Sequence, residues 1–143
     1  MTGSRRVQRA TIFFAGLWLA TGCVGAFAQV QPPRQLANPA SQNCAMRGVT
    51  LRIERRSDGG QYGVCVFTDN YQCEEWAMFR GECPVGGLRV TGYITPAARY
   101  CAITGGRYTV VSGSGAADER GACALPGGKA CDADAYYAGT CGR

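Results

Sequence analysis

The sequence predicts an α+β protein of two tandem, small, disulfide-stapled repeats, each running helix, β-hairpin, helix. The first observation is the cysteine spacing. Cys44, Cys65, Cys73 and Cys83 are separated by 21, 8 and 10 residues, and Cys101, Cys123, Cys131 and Cys141 by 22, 8 and 10. The second is the register of other residues when one block is laid on the other. Asn38-Pro39-Ala40 matches Thr95-Pro96-Ala97, and Gly48, Gly63 and Gly81 match Gly105, Gly121 and Gly139. A repeated spacing of this kind marks a duplicated supersecondary unit. The segments are 1–28, an export signal; 29–37, a linker; 38–83, repeat 1; 84–94, a second linker; and 95–141, a degenerate repeat 2.

In repeat 1, Asn38 can cap free backbone N–H groups, and Pro39 suits the first helical position because it has no N–H to satisfy. A helix of about two turns follows to Arg47, with Gly48 at the left-handed C′ position. Val49 to Glu54 alternates like a half-buried strand. Ser57-Asp58-Gly59-Gly60 is a turn, Tyr62 to Phe67 the return strand, and Thr68-Asp69-Asn70 a break. Glu74 to Arg80 reads as a short helix with acids in its first turn, Arg80 at its end and Gly81 after it.

Repeat 2 follows the same order. Thr95-Pro96 opens a helix that Gly105-Gly106 closes, and Arg107 to Val111 is the first strand. Its one extra residue is expected in the loop 112–118, where insertion costs little. Ala122 to Leu125 returns, Pro126-Gly127-Gly128 turns, and Asp132 to Ala138 is the final helix. A unit this small needs staples, and each disulfide contributes roughly 2–4 kcal/mol. The favoured pairing is Cys44–Cys65 and Cys73–Cys83, with Cys101–Cys123 and Cys131–Cys141 as counterparts, although spacing leaves three pairings open per repeat. The strand Val64-Cys65-Val66-Phe67 is apolar on both faces, and one helix covers only one of them. The repeats are therefore expected to pack together and bury Val64 and Val66.

Residues 1–28 have the anatomy of a secretory signal: Arg5, Arg6 and Arg9, then the apolar run Thr11 to Gly22, then Ala26-Phe27-Ala28 before Gln29. A lipobox-like alternative ends at Cys23, with Ala20 where such sites favour Leu. Either cut leaves eight thiols, and an even number in an exported chain argues for disulfides. A periplasmic or secreted location follows, or an envelope lipoprotein anchored through Cys23. The whole chain carries +5, but after residue 28 there are twelve Arg or Lys against ten Asp or Glu, so no basic nucleic-acid footprint exists. No transmembrane helix is expected in the mature chain.

Repeat 1 reads Asn38-Pro39-Ala40-Ser41, Cys44, then Asp58-Gly59-Gly60-Gln61-Tyr62-Gly63-Val64-Cys65-Val66-Phe67. It ends Cys73-Glu74-Glu75-Trp76-Ala77 and Phe79-Arg80-Gly81-Glu82-Cys83. It resembles, over its full length, a small bacterial exported domain of unknown function, family 333, whose members often carry a hemolysin label. Repeat 2 resembles it more distantly, because Glu75, Trp76 and Arg80 give way to Ala133, Asp134 and Ala138. The resemblance implies an envelope or secreted protein and supplies no catalytic residues.

The candidate chemistry is thin. Glu74 and Glu75, with Asp69 nearby, could suggest paired carboxylates for glycoside hydrolysis, but capping and dipole effects explain them. The chain has no His, so Ser41 and Ser57 lack a His-type general base. No catalytic residue, cofactor site or metal site is assigned. The binding candidates are Tyr62, Tyr71, Glu74, Glu75, Trp76 and Arg80. Trp76 and Phe79 are read first as core, whereas Tyr62 and Tyr71 are open between core and recognition patch. The expectation is a non-enzymatic binding or structural module, with an envelope or extracellular protein or glycan as partner. A secreted protease inhibitor using loop 55–61 or 112–118 is the second reading. A membrane-active, hemolysin-like protein is the third, disfavoured by helices of about two turns. Intact-mass measurement of the exported protein should give a chain beginning at Gln29 without lipid, and a diacylglyceryl adduct on Cys23 would reverse that assignment.

Overall fold

The computed structural model describes residues 38–142. The export signal, the lipobox alternative at Cys23 and the 29–37 linker lie outside them. The element order is α1 (Pro39–Met46), β1 (Thr50–Arg55), β2 (Gln61–Val66), β3 (Tyr71–Glu74), α2 (Glu75–Phe79) and β4 (Leu88–Arg89), then α3 (Pro96–Ile103), β5 (Arg107–Ser112), β6 (Arg120–Ala124), β7 (Ala130–Asp132) and α4 (Ala133–Tyr137). The α+β class and the two tandem repeats hold. Each repeat is richer than a hairpin between helices, because a third strand follows the return strand. Asp69 and Asn70 both adopt left-handed backbone, which makes Thr68–Tyr71 a tight hairpin turn rather than a simple break. The strands order as β1-β2-β3-β4 and β5-β6-β7, all antiparallel. The second linker is not free chain, since Leu88 and Arg89 pair with Gln72 and Tyr71 as the fourth strand of sheet 1.

The helix ends follow the expected chemistry. Asn38 Oδ1 accepts from Ala40 N at 3.0 Å, and Thr95 Oγ1 accepts from Ala98 N at 3.1 Å. The four helices of the described residues close in the same way. In α2, Gly81 N donates to Met78 O and Glu82 N to Ala77 O, with Gly81 at φ +75°, which is a Schellman motif. That reversal lets Cys83 come back beside Cys73. The extra residue of repeat 2 departs from expectation. It sits in a bulge of β5 between Val110 and Ser112, not in the loop. A bulge accepts one unpaired residue without moving the strands on either side.

Four disulfides form, Cys44–Cys65, Cys73–Cys83, Cys101–Cys123 and Cys131–Cys141, with Cα atoms 5.6–6.1 Å apart. The described residues fall within one compact unit. Their layers stack as helices, sheet, helices, sheet. Cys65 on one face of β2 is tied to α1, while Tyr62 and Val64 on the other face pack against Val90, Tyr100 and Ile103. Val64 is fully buried and Val66 half-buried against this cluster. In turn, Ala97 and Cys101 of α3 pack on Cys123 and Ala133 of repeat 2 itself. Helix α3 is thus covered on two sides.

A polar cluster spans the contact between repeats. Arg99 on α3 donates to Glu54 through both terminal nitrogens, to Gln72 Oε1 at 2.6 Å and to Tyr62 Oη at 3.3 Å. Tyr62 Oη also donates to Glu54 Oε2 at 2.9 Å. Burial alone would raise the Glu54 carboxyl, but hydrogen bonds from Arg99 and Tyr62 and the Arg99 charge more than offset it and hold it below the usual range. Burial and then the Glu54 bond push the Tyr62 phenol up.

Two expectations follow. Val66→Lys should cost well over about 1 kcal/mol by placing a charge against an apolar contact, and Val64→Ala roughly 2 kcal/mol. An unchanged denaturant midpoint for both would mean that the repeats do not support each other. The depressed Glu54 carboxyl contributes stability that is full above its unfolded value near 4.5 and lost as pH falls through the lower folded value. Glu74, raised chiefly by burial, acts in the opposite sense. The diagnostic is therefore the difference between wild type and Glu54→Gln, which should shrink on acidification below about pH 4.5.

Candidate functional site

The two acids singled out by the sequence are structural. Glu74 is the N-cap of α2 and accepts from Ala77 N at 2.8 Å in a buried site. Burial, the largest influence, raises its carboxyl, and backbone donors at Ala77 and Trp76 only partly offset this. Glu75 is 5 % exposed and accepts from Asn38 Nδ2 at 2.9 Å and Ser41 Oγ at 2.5 Å. It ties the start of α1 to α2. The space for it comes from Gly63, where a Cβ would lie 2.4 Å from the Glu75 carboxyl carbon. In repeat 2 the matching Gly121 makes room for the Tyr108 ring instead, 2.2 Å from where a Cβ would sit. The carboxylate pair is thus committed to capping and to bridging helices. The role of Ser41 was legible only as a lone serine, because its partner lies 34 residues away.

The aromatic candidates separate. Trp76 and Phe79, read first as core, are 38 % and 50 % exposed, and their rings meet edge to face at 5.7 Å. The reason is geometric: α2 has little more than one turn, and its inward positions go to Ala77 and Met78. Arg80 beside them is exposed and donates to Glu82 Oε2 from Nε at 2.9 Å and from a terminal nitrogen at 2.7 Å. Tyr62 goes to the core, where it meets Tyr100 edge to face at 4.9 Å. Tyr71 is half-buried in β3. Met46, 80 % exposed on α1, belongs to the same helix layer and was not foreseen. The layer therefore presents Met46, Trp76 and Phe79 outward, next to Arg80.

Two open depressions, of about 590 and 430 Å³, occupy corresponding places in the repeats. One is bordered by Gly105–Arg107 and Ala124–Pro126, the other by Gly48–Thr50 and Val66–Thr68. The larger one lies where the repeats abut, since a Cβ on Gly105 would sit 2.7 Å from Glu82 O. Both candidate inhibitor loops are folded on themselves. Arg56 N donates to Gly60 O in one, and Ala116 N to Gly113 O and Gly115 N to Glu119 Oε2 in the other. Among the described residues, no group of three or more His, Cys, Asp or Glu is placed to hold a metal, and no helix is long and apolar enough to cross a membrane.

The model of the family "Domain of unknown function (DUF333)" matches residues 35–82 and again 92–140. The uncharacterized protein YdbJ of Escherichia coli K12 is 31 % identical over 48 residues, covering 34 % of this chain and 54 % of YdbJ. Its counterpart in Escherichia coli O6:H1 matches to the same extent. The matched segment thus spans about half the length of these curated relatives. No solved structure matches. Two matches that together cover more than half of the sequence, each spanning a capped first helix and a three-stranded meander, make this chain a member of the DUF333 family in two tandem copies.

Proposed function

We propose that the chain works outside the cytoplasm, in the bacterial envelope or beyond it, as a non-enzymatic binding or structural module. Its contact surface is the outward side of the α1–α2 layer. The observation that carries this reading is the exposed Trp76–Phe79 pair, held on a helix that a buried Glu75 bridge and the Cys73–Cys83 disulfide fix in place. Rigid, partly exposed aromatics offer large contact area with little ordering entropy left to lose on binding. The only carboxylate pair considered for catalysis is already engaged in holding the helices. Four disulfides suit an oxidising compartment. The inhibitor reading gains no support from loops closed by their own hydrogen bonds.

The test uses disulfide-intact protein and a Trp76→Ala, Phe79→Ala variant, both shown to be folded. Each is immobilised and exposed to envelope extract and to soluble envelope glycans. A ligand retained by the wild type should bind the variant at least about tenfold more weakly, the scale expected for loss of a central aromatic contact. Equal retention by both proteins would remove this face as the contact surface.

A further inference from the structure

The two repeats meet in a heterologous way. Repeat 2 contributes its helices, through Arg99, Tyr100 and Ile103 of α3 and Tyr137 of α4. Repeat 1 contributes the outer face of its sheet, through Glu54, Tyr62, Val64 and Gln72. The contact is not reciprocal, so each repeat keeps one half of it unused. Among the described residues, repeat 1 leaves the outward side of α1–α2 open, and repeat 2 leaves the outer face of sheet 2 open. Heterologous contacts of this kind repeat from molecule to molecule unless something closes them.

The duplication identifies the corresponding positions on the open faces. Gln42, Asn43, Met46 and Phe79 stand where Arg99, Tyr100, Ile103 and Tyr137 stand in repeat 2. Ile103 is fully buried, whereas Met46 and Phe79 are 80 % and 50 % exposed. On sheet 2, the register places Ser112, Ala122 and Ala130 where sheet 1 has Glu54, Val64 and Gln72. Ser112 and Ala130 are exposed and Ala122 is half-exposed.

We infer that these two open faces pack on each other between molecules, so that the occupant of the α1–α2 face is sheet 2 of a second copy of this chain. Two features make the faces compatible. The Arg99–Glu54 ion pair has no charged counterpart on either side, being replaced by Gln42 and Ser112, so closing the contact strands no charge at that point. On the helix side Met46 and Phe79 keep the bulk of Ile103 and Tyr137, and the small side chains of Ala122 and Ala130 leave room for them on the sheet. Arg120, in the place of Tyr62, is paired with Asp134 of its own repeat at 2.7 Å. The inference rests on the proposed reading of the α1–α2 side as the contact surface and names its partner.

Sedimentation velocity of the full, disulfide-oxidised protein tests it across a wide concentration range. The wild type should grow past the dimer as concentration rises. A helix-face variant, Met46→Glu with Phe79→Glu, and a sheet-face variant, Ala130→Arg with Ala124→Arg at its register partner on β6, change exposed positions and should stay folded and monomeric. An equimolar mixture of the two variants retains one intact face of each kind. It should therefore form a one-to-one pair and stop there. A wild type that stays monomeric throughout would show sheet 2 to be a terminal cap and would overturn the inference. So would growth that persists in either variant, or a mixture that remains monomeric. None of these results bears on capture of a different ligand by Trp76 and Phe79, so failure here is distinguishable from failure of the contact-surface reading.

Discussion

Strand β2 is buried on both faces, and the rest of the molecule is arranged to achieve that. Cys65 and Gly63 face α1 and α2, where the disulfide to Cys44 and the Glu75 carboxylate cover them. Tyr62 and Val64 face away, toward a surface that repeat 1 has no element to cover. A helix from repeat 2 fills it. The duplication therefore does more than double the length, because the second unit supplies the missing half of the first unit's core. Buried apolar surface is worth roughly 25 cal/mol per Å², and a single core in a unit below about 70 residues supplies little stability alone.

The polar cluster at this contact explains why the docking is specific. Apolar faces tolerate sliding, but Arg99 fixes α3 against β1, β2 and β3 at once through Glu54, Tyr62 and Gln72. All of its partners come from repeat 1, and Tyr137 Oη adds a bond to Arg55 O across 82 residues of sequence. Losing one member would leave a half-buried charge unpaired, which is more harmful than never having had the pair. The linker takes part as well, by entering sheet 1 as β4 and adding Val90 to the shared core.

The two repeats keep the same staples and divide other duties. Glycines at 63 and 121 each leave room beneath them, for a carboxylate in one repeat and a tyrosine ring in the other. Glu75 holds two helices together in repeat 1, whereas Ala133 at that place in repeat 2 packs into the core with Ala97 and Cys101. Met46 and Phe79 are exposed while their counterparts Ile103 and Tyr137 pack inward. Position in the stack, not residue type, separates the exposed face from the core.

The cysteine spacing, the Asn-Pro and Thr-Pro helix starts and the recurring glycines were sufficient to define the duplication, the α+β class and the caps, and they assigned four cysteines to each repeat while leaving three pairings open within it. These features are local: each depends on partners a few residues away or on a spacing that is counted along the chain. The double-sided strand also announced that the repeats would pack together. Which helix would cover it was less visible, although Tyr100 and Ile103 beside Arg99 already give α3 a second apolar side away from Ala97 and Cys101. The third strand of each repeat escaped notice because Tyr71 to Glu74 is too short to show alternation and begins at a turn that relies on left-handed Asp69 and Asn70. The fate of the aromatics was decided only in three dimensions. By sequence Trp76 reads first as core and Tyr62 is open between core and surface, yet the stacking of one repeat on the other buried the tyrosine while a helix of little more than one turn left the tryptophan partly exposed.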